Sequence, residues 1–350
     1  MSLFYNELSG QPKALNDTIE YYTSDEGKNL LDKVQNLWKT GKYDTITFTG
    51  MGSSYFVSES AACMLNAAGF RCQAIDAGEL LHFRRQCLDA HTILVAISQS
   101  GESYEIVELL NRLQDNRPLV IGITNTPGST LDTKSDISLL CIAGKEEMTS
   151  TKTFICTYLV SYILSKCFKG EETDFSHISP LAGEIQRLLD AEPHYIPQAL
   201  DMLGDSGFVQ VIARGSAFAT ASQTALMFME ATKTPASALL GGEFRHGPLE
   251  MVHEGFVGAI FAHSASGVMT QMQRLAMDIL NFGGKVLYIS DESLNIDNSN
   301  LLNIHINCTD SDLFAIPSIV PLQVMVDKWA EHKHLTPGNF TRACKVTATE

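Results

Sequence analysis

The chain alternates short apolar runs, each bounded by turn residues, with longer segments whose apolar residues recur at helical spacing. This pattern predicts strands at residues 45–49, 93–97, 119–124 and 137–142. The segment ESYEIVELLNRL follows the second strand and carries one broad apolar stripe, as expected of a helix that packs on a sheet. The stripe consists of Ile106, Val107, Leu109, Leu110 and Leu113. The alternation predicts a doubly wound α/β fold with helices on both faces of a parallel sheet.

The same strand-turn-helix pattern occurs twice. TFTGMGSSYF, at residues 47–56, is matched by QVIARGSAFA at residues 210–219, so that Gly52 corresponds to Gly215. Farther along, VAISQSGES is matched by GAIFAHSASG, and VIGITN by VLYISD. Because three matches follow in the same order, we expect one three-layer α/β unit that has been duplicated.

Four regions follow from this duplication. Residues 14–38 carry a polar helical pattern without a strand, and residues 170–180 form a polar stretch between the two copies. We therefore expect a helical lead-in over residues 1–42, one subdomain over 43–178, a second over 179–333 and a C-terminal tail over 334–350.

The charge of the chain excludes one class of partner. Its 350 residues carry 25 Lys and Arg against 40 Asp and Glu, a net charge of −15. A field of this sign repels a nucleic-acid backbone, so nucleic-acid binding is not expected. A small anionic substrate remains compatible with the charge, because local backbone N–H groups and helix ends bind such anions.

Cysteine spacing and the N-terminus indicate a reduced, cytoplasmic protein. The eight cysteines include no C-x-x-C pair, and many lie within apolar runs, which favours buried thiols over disulfides or zinc ligands. His332 and His334 have no matching cluster of ligands, so no metal is expected. The first residues lack the pattern of a secretory signal, and no apolar stretch is long enough to span a membrane.

The segment Ser98-Gln-Ser-Gly-Glu-Ser103 lies between a predicted strand and a predicted helix. A polar turn at this place directs N–H groups and hydroxyls outward, with the positive end of the helix behind it, which is typical of a phosphate cradle. The alternative is a serine that only caps the helix, with Glu102 in its first turn. Hydroxyl-rich helix starts at residues 52–55 and 149–153 favour anion binding over three independent caps.

Three further residues are candidates for catalysis. Glu230 ends the apolar run ALMFME, where a raised pKa suits proton transfer, although the residue could also mark the solvent edge of a helix. His246 lies in the glycine-rich segment GGEFRHGP, which is either a general acid-base site or a surface loop. Lys345 lies near the C-terminus, where a solvated charge is the ordinary interpretation.

Together these motifs identify a family resemblance. SQSGES, GSSY, TNTPGSTL, TSTKTF and GEFRHGP occur in an order that resembles the sugar isomerase (SIS) family, closely the isomerase half of glucosamine-6-phosphate synthases. The resemblance implies two doubly wound SIS subdomains, a tail that folds over the site and a homodimer. It implies that a sugar phosphate is held by Ser54, Ser98, Gln99, Ser100 and Ser103. It places the sugar near Gly52, Ser53, Met148 and Ser150.

The resemblance also implies the catalytic roles. Glu230 matches the base that moves a proton between C1 and C2, and His246 matches a ring-opening histidine that comes from the neighbouring subunit. Lys345 matches a tail lysine that forms a Schiff base with an open-chain ketose, although TPGNFTRACKVT departs from the synthase sequence.

Two departures change the expected reaction. No glutaminase segment precedes the first SIS unit, and Met227 stands where the synthases carry a lysine. We therefore expect a cofactor-free isomerase and deaminase that acts on a 6-phosphorylated amino sugar without glutamine. A deglycase of phosphorylated fructose–amino acid adducts is the alternative. A regulatory module that senses sugar phosphates is disfavoured by the joint presence of Glu230 and His246 and by the lack of a basic helix-turn-helix.

Overall fold

The computed structural model describes residues 2–113, 117–204, 206–340 and 342. Within them the chain forms two compact units. The described residues within 13–179 form the first unit, and residues 2–12 together with those described within 180–340 form the second unit. The first helix of the chain thus belongs with the second unit, whereas the rest of the lead-in belongs with the first.

The first unit contains a five-stranded parallel sheet with the order β2-β1-β3-β4-β5. Its strands are β1 (Thr45–Gly50), β2 (Cys72–Asp76), β3 (Thr92–Ile97), β4 (Leu119–Thr124) and β5 (Ile137–Leu140). All four predicted strands are present. The prediction for β5 extended two residues too far, because the N–H of Ala143 donates to the side-chain oxygen of Asn125 (2.9 Å) instead of continuing the ladder with β4.

Helices precede and cover this sheet, except that the first helix of the chain belongs with the second unit. In chain order they are α1 (Leu3–Ser9), α2 (Gln11–Thr23), α3 (Asp25–Lys39), α4 (Ser53–Ala67), α5 (Ala77–Glu79), α6 (Tyr104–Asn111), α7 (Thr130–Lys134), α8 (Lys152–Lys169) and α9 (Phe175–Ile178). The pattern over residues 14–38 is two helices rather than one, because Ser24 interrupts it. Its hydroxyl accepts the N–H of Gly27 (3.3 Å) and caps the start of α3.

The second unit repeats the same architecture. Its strands are β6 (Val209–Ala213), β7 (Ala236–Leu240), β8 (Val257–Ala262), β9 (Lys285–Ser290) and β10 (Leu301–His305). Its further helices are α10 (Pro180–Asp190), α11 (Glu192–Leu203), α12 (Phe218–Thr232), α13 (Gly241–Arg245), α14 (Met269–Asn281), α15 (Ala315–Ser318) and α16 (Val320–His332). The strand order β10-β9-β8-β6-β7, read from the other edge, is the order of the first sheet. The predicted duplication of an α/β fold is therefore confirmed.

Burial explains why the central strands are apolar runs instead of alternating patterns. Every residue of β3 and of β8 is buried, as expected of parallel strands covered on both faces. In the first unit α8 is buried along its length except at Lys152, Lys166 and Lys169. In the second unit Phe228 of α12 packs edge-on against Trp329 of α16, with ring centroids 5.6 Å apart.

Three predicted absences are reported for the described residues only. No helix among them is long and apolar enough to cross a membrane. They contain no group of His, Cys, Asp and Glu arranged to hold a metal ion. Their seven cysteines are free thiols, and burial raises the pKa of Cys141 to about 12. Cys344 lies outside the described residues.

One buried carboxylate fastens α10 to the chain that follows β10. Glu184 accepts hydrogen bonds from the backbone N–H (2.8 Å) and side-chain amide (2.9 Å) of Asn307, and from Arg187 Nε (2.7 Å). Burial acts to raise the pKa of Glu184, but the hydrogen bonds from Arg187 and Asn307 outweigh it and lower the pKa.

Glu184→Gln should therefore reduce stability in a pH-dependent way. Since the native pKa is lowered, the unfolded chain takes up the proton first, so this contribution is present at neutral pH and is lost as the pH falls toward the native pKa. Urea unfolding should give a loss of about 1.5–3 kcal/mol at pH 7 that shrinks in acid. The control is Asp190→Asn, an exposed carboxylate on the same helix. An equal loss for both variants, or a loss that does not change with pH, would contradict this role.

Candidate active site

The candidate site of the first unit lies at the carboxyl ends of β1 and β3. These strands are neighbours at the centre of the sheet, but β1 continues to β2 on one side and β3 continues to β4 on the other. The connections that leave them therefore diverge, and in open α/β sheets ligands bind in the crevice formed at such a point. Residues 52–54 follow β1, and residues 98–103 follow β3. We call residues 98–103 the cradle loop.

Hydroxyls hold the cradle loop together from within. Ser98 is buried, and its Oγ lies 2.9 Å from Ser103 Oγ and accepts the N–H of Gly101 at 3.1 Å. Ser100 Oγ accepts the N–H of Glu102 at 3.2 Å. Ser103 precedes α6, but its side chain does not cap that helix. The simple capping alternative is thus not the arrangement found at this helix start.

The cradle loop also carries N–H groups that have no acceptor among the protein residues that the structure describes. Within the described residues, the backbone N–H groups of Gln99, Ser100 and Ser103 have no hydrogen-bond acceptor. Backbone N–H groups normally find a partner, and successive free ones in a turn form a concavity that binds anions. The start of α6 adds the positive end of a helix dipole. The loop is therefore suited to a phosphate group.

The TNTPGSTL segment, residues 124–131, holds the cradle loop through hydrogen bonds. The backbone oxygen of Gln99 accepts the N–H of Asn125 (3.0 Å) and the hydroxyl of Thr126 (3.2 Å). Glu102 accepts the N–H (2.6 Å) and the hydroxyl (2.9 Å) of Thr130. Glu102 therefore positions the loop, a role that its place before a helix did not reveal.

At Gly101 the cradle loop lies close to the TNTPGSTL segment. Its φ of +67° lies in the left-handed region, and a Cβ at this position would lie 2.0 Å from Ser129 Oγ. Its backbone oxygen accepts the N–H of Leu131 at 3.0 Å. Only glycine meets both the conformational and the steric requirement here.

A small cleft of about 10 Å³, roughly the space for one water molecule, brings several predicted residues together. Ser53 and Ser54 at the start of α4, Gln99 of the cradle loop and Ser150 before α8 line it. Val57, Phe154 and Thr157 supply apolar and hydroxyl surface that the sequence reasoning did not identify. Gly52 immediately precedes α4 and has a φ of +51°. Met148 is half-buried and lies two residues before Ser150.

The hydroxyl-rich start of α8 differs from the other two helix starts. The buried carboxylate of Glu146 accepts the N–H groups of Thr151 (2.9 Å) and Thr153 (3.3 Å) and the hydroxyls of both residues. An anion from the chain itself thus already binds this helix start. The expectation of a third external anion site does not hold for Thr151 and Thr153, and Glu146 is a site residue that sequence reasoning missed.

In the second unit, a carboxylate of the chain itself also binds the loop that corresponds to the cradle loop. After β8, the N–H of Ser264 donates to Asp291 Oδ1 (2.9 Å), and the hydroxyl of Ser264 donates to the other oxygen of Asp291. His263 Nδ1 accepts the N–H of Ala265 (3.1 Å). These donors are therefore occupied, whereas those of the cradle loop are not. Among the described residues, the N–H groups of Ser264 and Ala265 thus have acceptors, whereas those of their counterparts Gln99 and Ser100 have none.

Two predicted catalytic residues lie in the second unit. Glu230 is half-buried in the last turn of α12, and the adjacent Met229 is 44% exposed. His246 is exposed directly after α13, and its N–H donates to the backbone oxygen of Glu243 (2.9 Å). Lys345 lies outside the described residues.

The segment that carries His246 is anchored on both sides. Phe244 is fully buried, and Arg245 forms an ion pair with Asp278 of α14 (2.7 Å). These contacts hold α13 on the second unit and leave the imidazole of His246 in solvent. An exposed histidine next to a fixed helix is available to a partner molecule.

Comparison with known proteins identifies the family. The model of the SIS domain family matches residues 42–165 and 202–328, which include the strands of both sheets. The chain belongs to the SIS domain family. The resemblance inferred from the motifs is confirmed.

This SIS chain is similar to several characterised proteins. A glutamine–fructose-6-phosphate aminotransferase (isomerizing) from Corynebacterium glutamicum is 27% identical over 343 residues, covering 92% of this chain and 54% of that protein. The chain spans about half the length of such curated relatives. The solved C-terminal domain of glucosamine-fructose-6-phosphate aminotransferase from Francisella tularensis has a TM-score of 0.84 and 22% identity, covering 97% of this chain and 98% of its own. Glucosamine-6-phosphate deaminase from Thermotoga maritima has a TM-score of 0.72 and 21% identity, covering 99% of both chains.

Gly101→Ala tests whether the close approach to Ser129 shapes the cradle loop. The matched control is Gly128→Ala, since Gly128 also has a positive φ (+79°) but has open space around its Cβ position. Both variants should lose about 1–2 kcal/mol of unfolding free energy from backbone strain. Only Gly101→Ala should lose more than this and also weaken phosphate binding, as measured by urea unfolding and calorimetry. Equal behaviour of the two variants would show that the contact does not shape the loop.

Proposed function

We propose that this SIS protein is a phosphosugar isomerase and deaminase that acts on a 6-phosphorylated amino sugar. The observation that carries the proposal is the open cradle loop, with three unpaired N–H groups and adjacent serine hydroxyls at the carboxyl ends of the central strands. This arrangement suits a phosphate monoester dianion. The neighbouring cleft, lined by Ser53, Ser54 and Ser150, offers hydroxyls to a polyol. A sugar phosphate combines both chemical features.

The proposed chemistry needs acid-base groups. His246 transfers the proton that opens the sugar ring, and Glu230 takes a proton from C2 of the aldose and returns it to C1. A second proton passes from the C2 substituent to the C1 oxygen, so isomerisation has no net uptake or release of protons. When the C2 substituent is an amine, the product is an imine at C2. Water then adds to C2, and ammonia leaves to give the ketose.

Several observations support these assignments. The resemblance to the family motifs implies acid-base roles for Glu230 and His246, and His246 is exposed on an anchored segment. We propose that His246 acts in the site of a partner subunit within a homodimer. We also propose that the Lys345 amine adds to the C2 carbonyl of the open-chain ketose and forms an imine with loss of one water molecule, which hydrolysis reverses. A glucosamine-6-phosphate deaminase shares this fold at 21% identity.

A substrate panel tests the proposal. Purified protein is incubated with 6-phosphorylated amino sugars, 6-phosphorylated ketoses and phosphorylated fructose–amino acid adducts, each beside its unphosphorylated form. Ammonia, free amino acid and solvent deuterium at C1 or C2 are measured. Ammonia release from a phosphorylated amino sugar supports the deaminase, and amino-acid release from the adducts supports the deglycase instead. If no phosphorylated sugar exchanges a proton, the proposed isomerase chemistry is wrong.

The double variant Ser98→Ala, Ser100→Ala tests the cradle loop within the same assay. Hydrogen bonds to a charged oxygen contribute about 1.5–3 kcal/mol each, so KM should rise several hundredfold if the two effects are additive. The matched control is Ser264→Ala, Ser266→Ala in the homologous loop of the second unit, where Asp291 already occupies the donors. Its KM should not change. Equal KM values for wild type and the cradle variant would refute the phosphate assignment.

Complementation tests the shared site. Glu230→Gln and His246→Ala should each be inactive alone, because each removes one acid-base group from every site. Mixed subunits should regain activity, since up to about half of the sites in a heterodimer are then intact. A chain that carries both substitutions, mixed with either single variant, is the control and should restore none. If subunit exchange is demonstrated and the single variants still do not complement, both residues act within one subunit's site.

A further inference from the structure

A second cleft lies within the second unit, outside the residues assigned to the sugar phosphate. It has a volume of about 430 Å³, which is within the range of small-molecule sites. Arg214 directly follows β6 and Gly241 directly follows β7, so the cleft opens at the carboxyl ends of parallel strands. Residues of α14 form the other wall. Ligands of open α/β sheets bind at this end of the strands.

The charge of this cleft is opposite to that of the chain. Arg214, Arg245 and Arg274 all line it, on a protein with a net charge of −15. Asp278 neutralises Arg245 through the 2.7 Å ion pair. Arg214 and Arg274, by contrast, have no ion-pair partner in the part of the chain that the structure describes. Two uncompensated guanidinium groups that face one cavity attract an anion.

The side chain of Arg214 lies against two consecutive glycines. It lies across Gly241 and Gly242, so that a Cβ at Gly241 would come within 3.4 Å of Arg214 Cγ and Cδ and within 2.8 Å of Met272 Sδ. A side chain at Gly241 would therefore clash with Met272 and crowd Arg214, whereas a Cβ at Gly242 would lie 3.8 Å from the Arg214 guanidinium, an ordinary contact distance.

We propose that this cleft binds a small molecule through a phosphate or carboxylate group held by Arg214 and Arg274. The guanidinium fork pairs with two oxygens of either group, and Gln271 adds an amide at the rim. The ligand would also touch α13 at Gly241, Gly242 and Arg245, immediately before His246. A ligand bound in the cleft would thus contact the segment that leads to His246. This site is separate from the cradle loop and does not rest on the proposed reaction.

Calorimetry with inorganic phosphate and with malonate tests the proposal. Because the cradle loop is expected to bind phosphate as well, the titrations use the Ser98→Ala, Ser100→Ala background, in which binding at the cradle loop is weakened, and binding is assigned to the arginine cleft only where it depends on Arg214 or Arg274. Adding Arg214→Ala or Arg274→Ala should weaken this binding by at least about tenfold. The control is Arg71→Ala, which removes one positive charge at an exposed position in the first unit. It should leave the affinity unchanged.

The two probes distinguish the ligand classes. Tighter binding of phosphate indicates a phosphorylated ligand, and tighter binding of malonate indicates a carboxylate. Arg274 is exposed, so its substitution keeps the test informative even if Arg214→Ala fails to fold, which circular dichroism would report. The proposal is overturned if neither probe binds the background variant, or if Arg274→Ala and Arg71→Ala bind equally. If the cradle loop does not bind phosphate, wild type and the background variant will bind it equally. That result leaves the comparison between Arg274→Ala and Arg71→Ala unchanged.

Discussion

The close approach of Gly101 to Ser129 is the contact on which the geometry of the candidate site depends. It brings the loop after β3 onto the loop after β4, and the hydrogen bonds from Asn125 and Thr126 to Gln99 then fix that position. Asn125 in turn binds the chain after β5 through Gly144 (2.8 Å). Each loop is thus held by the next one along the sheet. These contacts fix the backbone of the cradle loop, whose N–H groups at Gln99, Ser100 and Ser103 have no acceptor among the described residues.

Duplication has produced two sheets of one topology with different chemistry at their loops. In the first unit the donors after β3 are open, whereas in the second unit Asp291 occupies the donors after β8. A carboxylate supplied by the chain can stabilise a loop in the place of a bound anion. The second unit then retains Glu230 and His246 on other elements, at the end of α12 and after α13. The fold is shared by both units, but the proposed roles are divided between them.

Sequence patterns predicted the elements that depend on local periodicity and burial. The strands, the duplication and the polar turn at residues 98–103 all follow from such patterns, and the structure places them as expected. The role of Glu146 could not be predicted, because it lies in an irregular segment and reaches the start of α8 only through the tertiary fold. The break at Ser24 is a local signal of a helix cap, but it was hidden within a continuous polar helical pattern. Asp291 likewise lies outside the helices and strands and reaches Ser264 only through the tertiary fold, so sequence patterns did not indicate its role.

A crystal structure with a non-reacting sugar-alcohol 6-phosphate tests the central claim most directly, which is that the first unit alone presents an open phosphate cradle. The account predicts that the phosphorus atom lies at the cradle loop, with its oxygens accepting hydrogen bonds from the N–H groups of Gln99, Ser100 and Ser103. The sugar chain should then extend along the cleft lined by Ser54 and Ser150. A phosphate bound instead at the loop after β8, or no density at the cradle loop under saturating ligand, would contradict it.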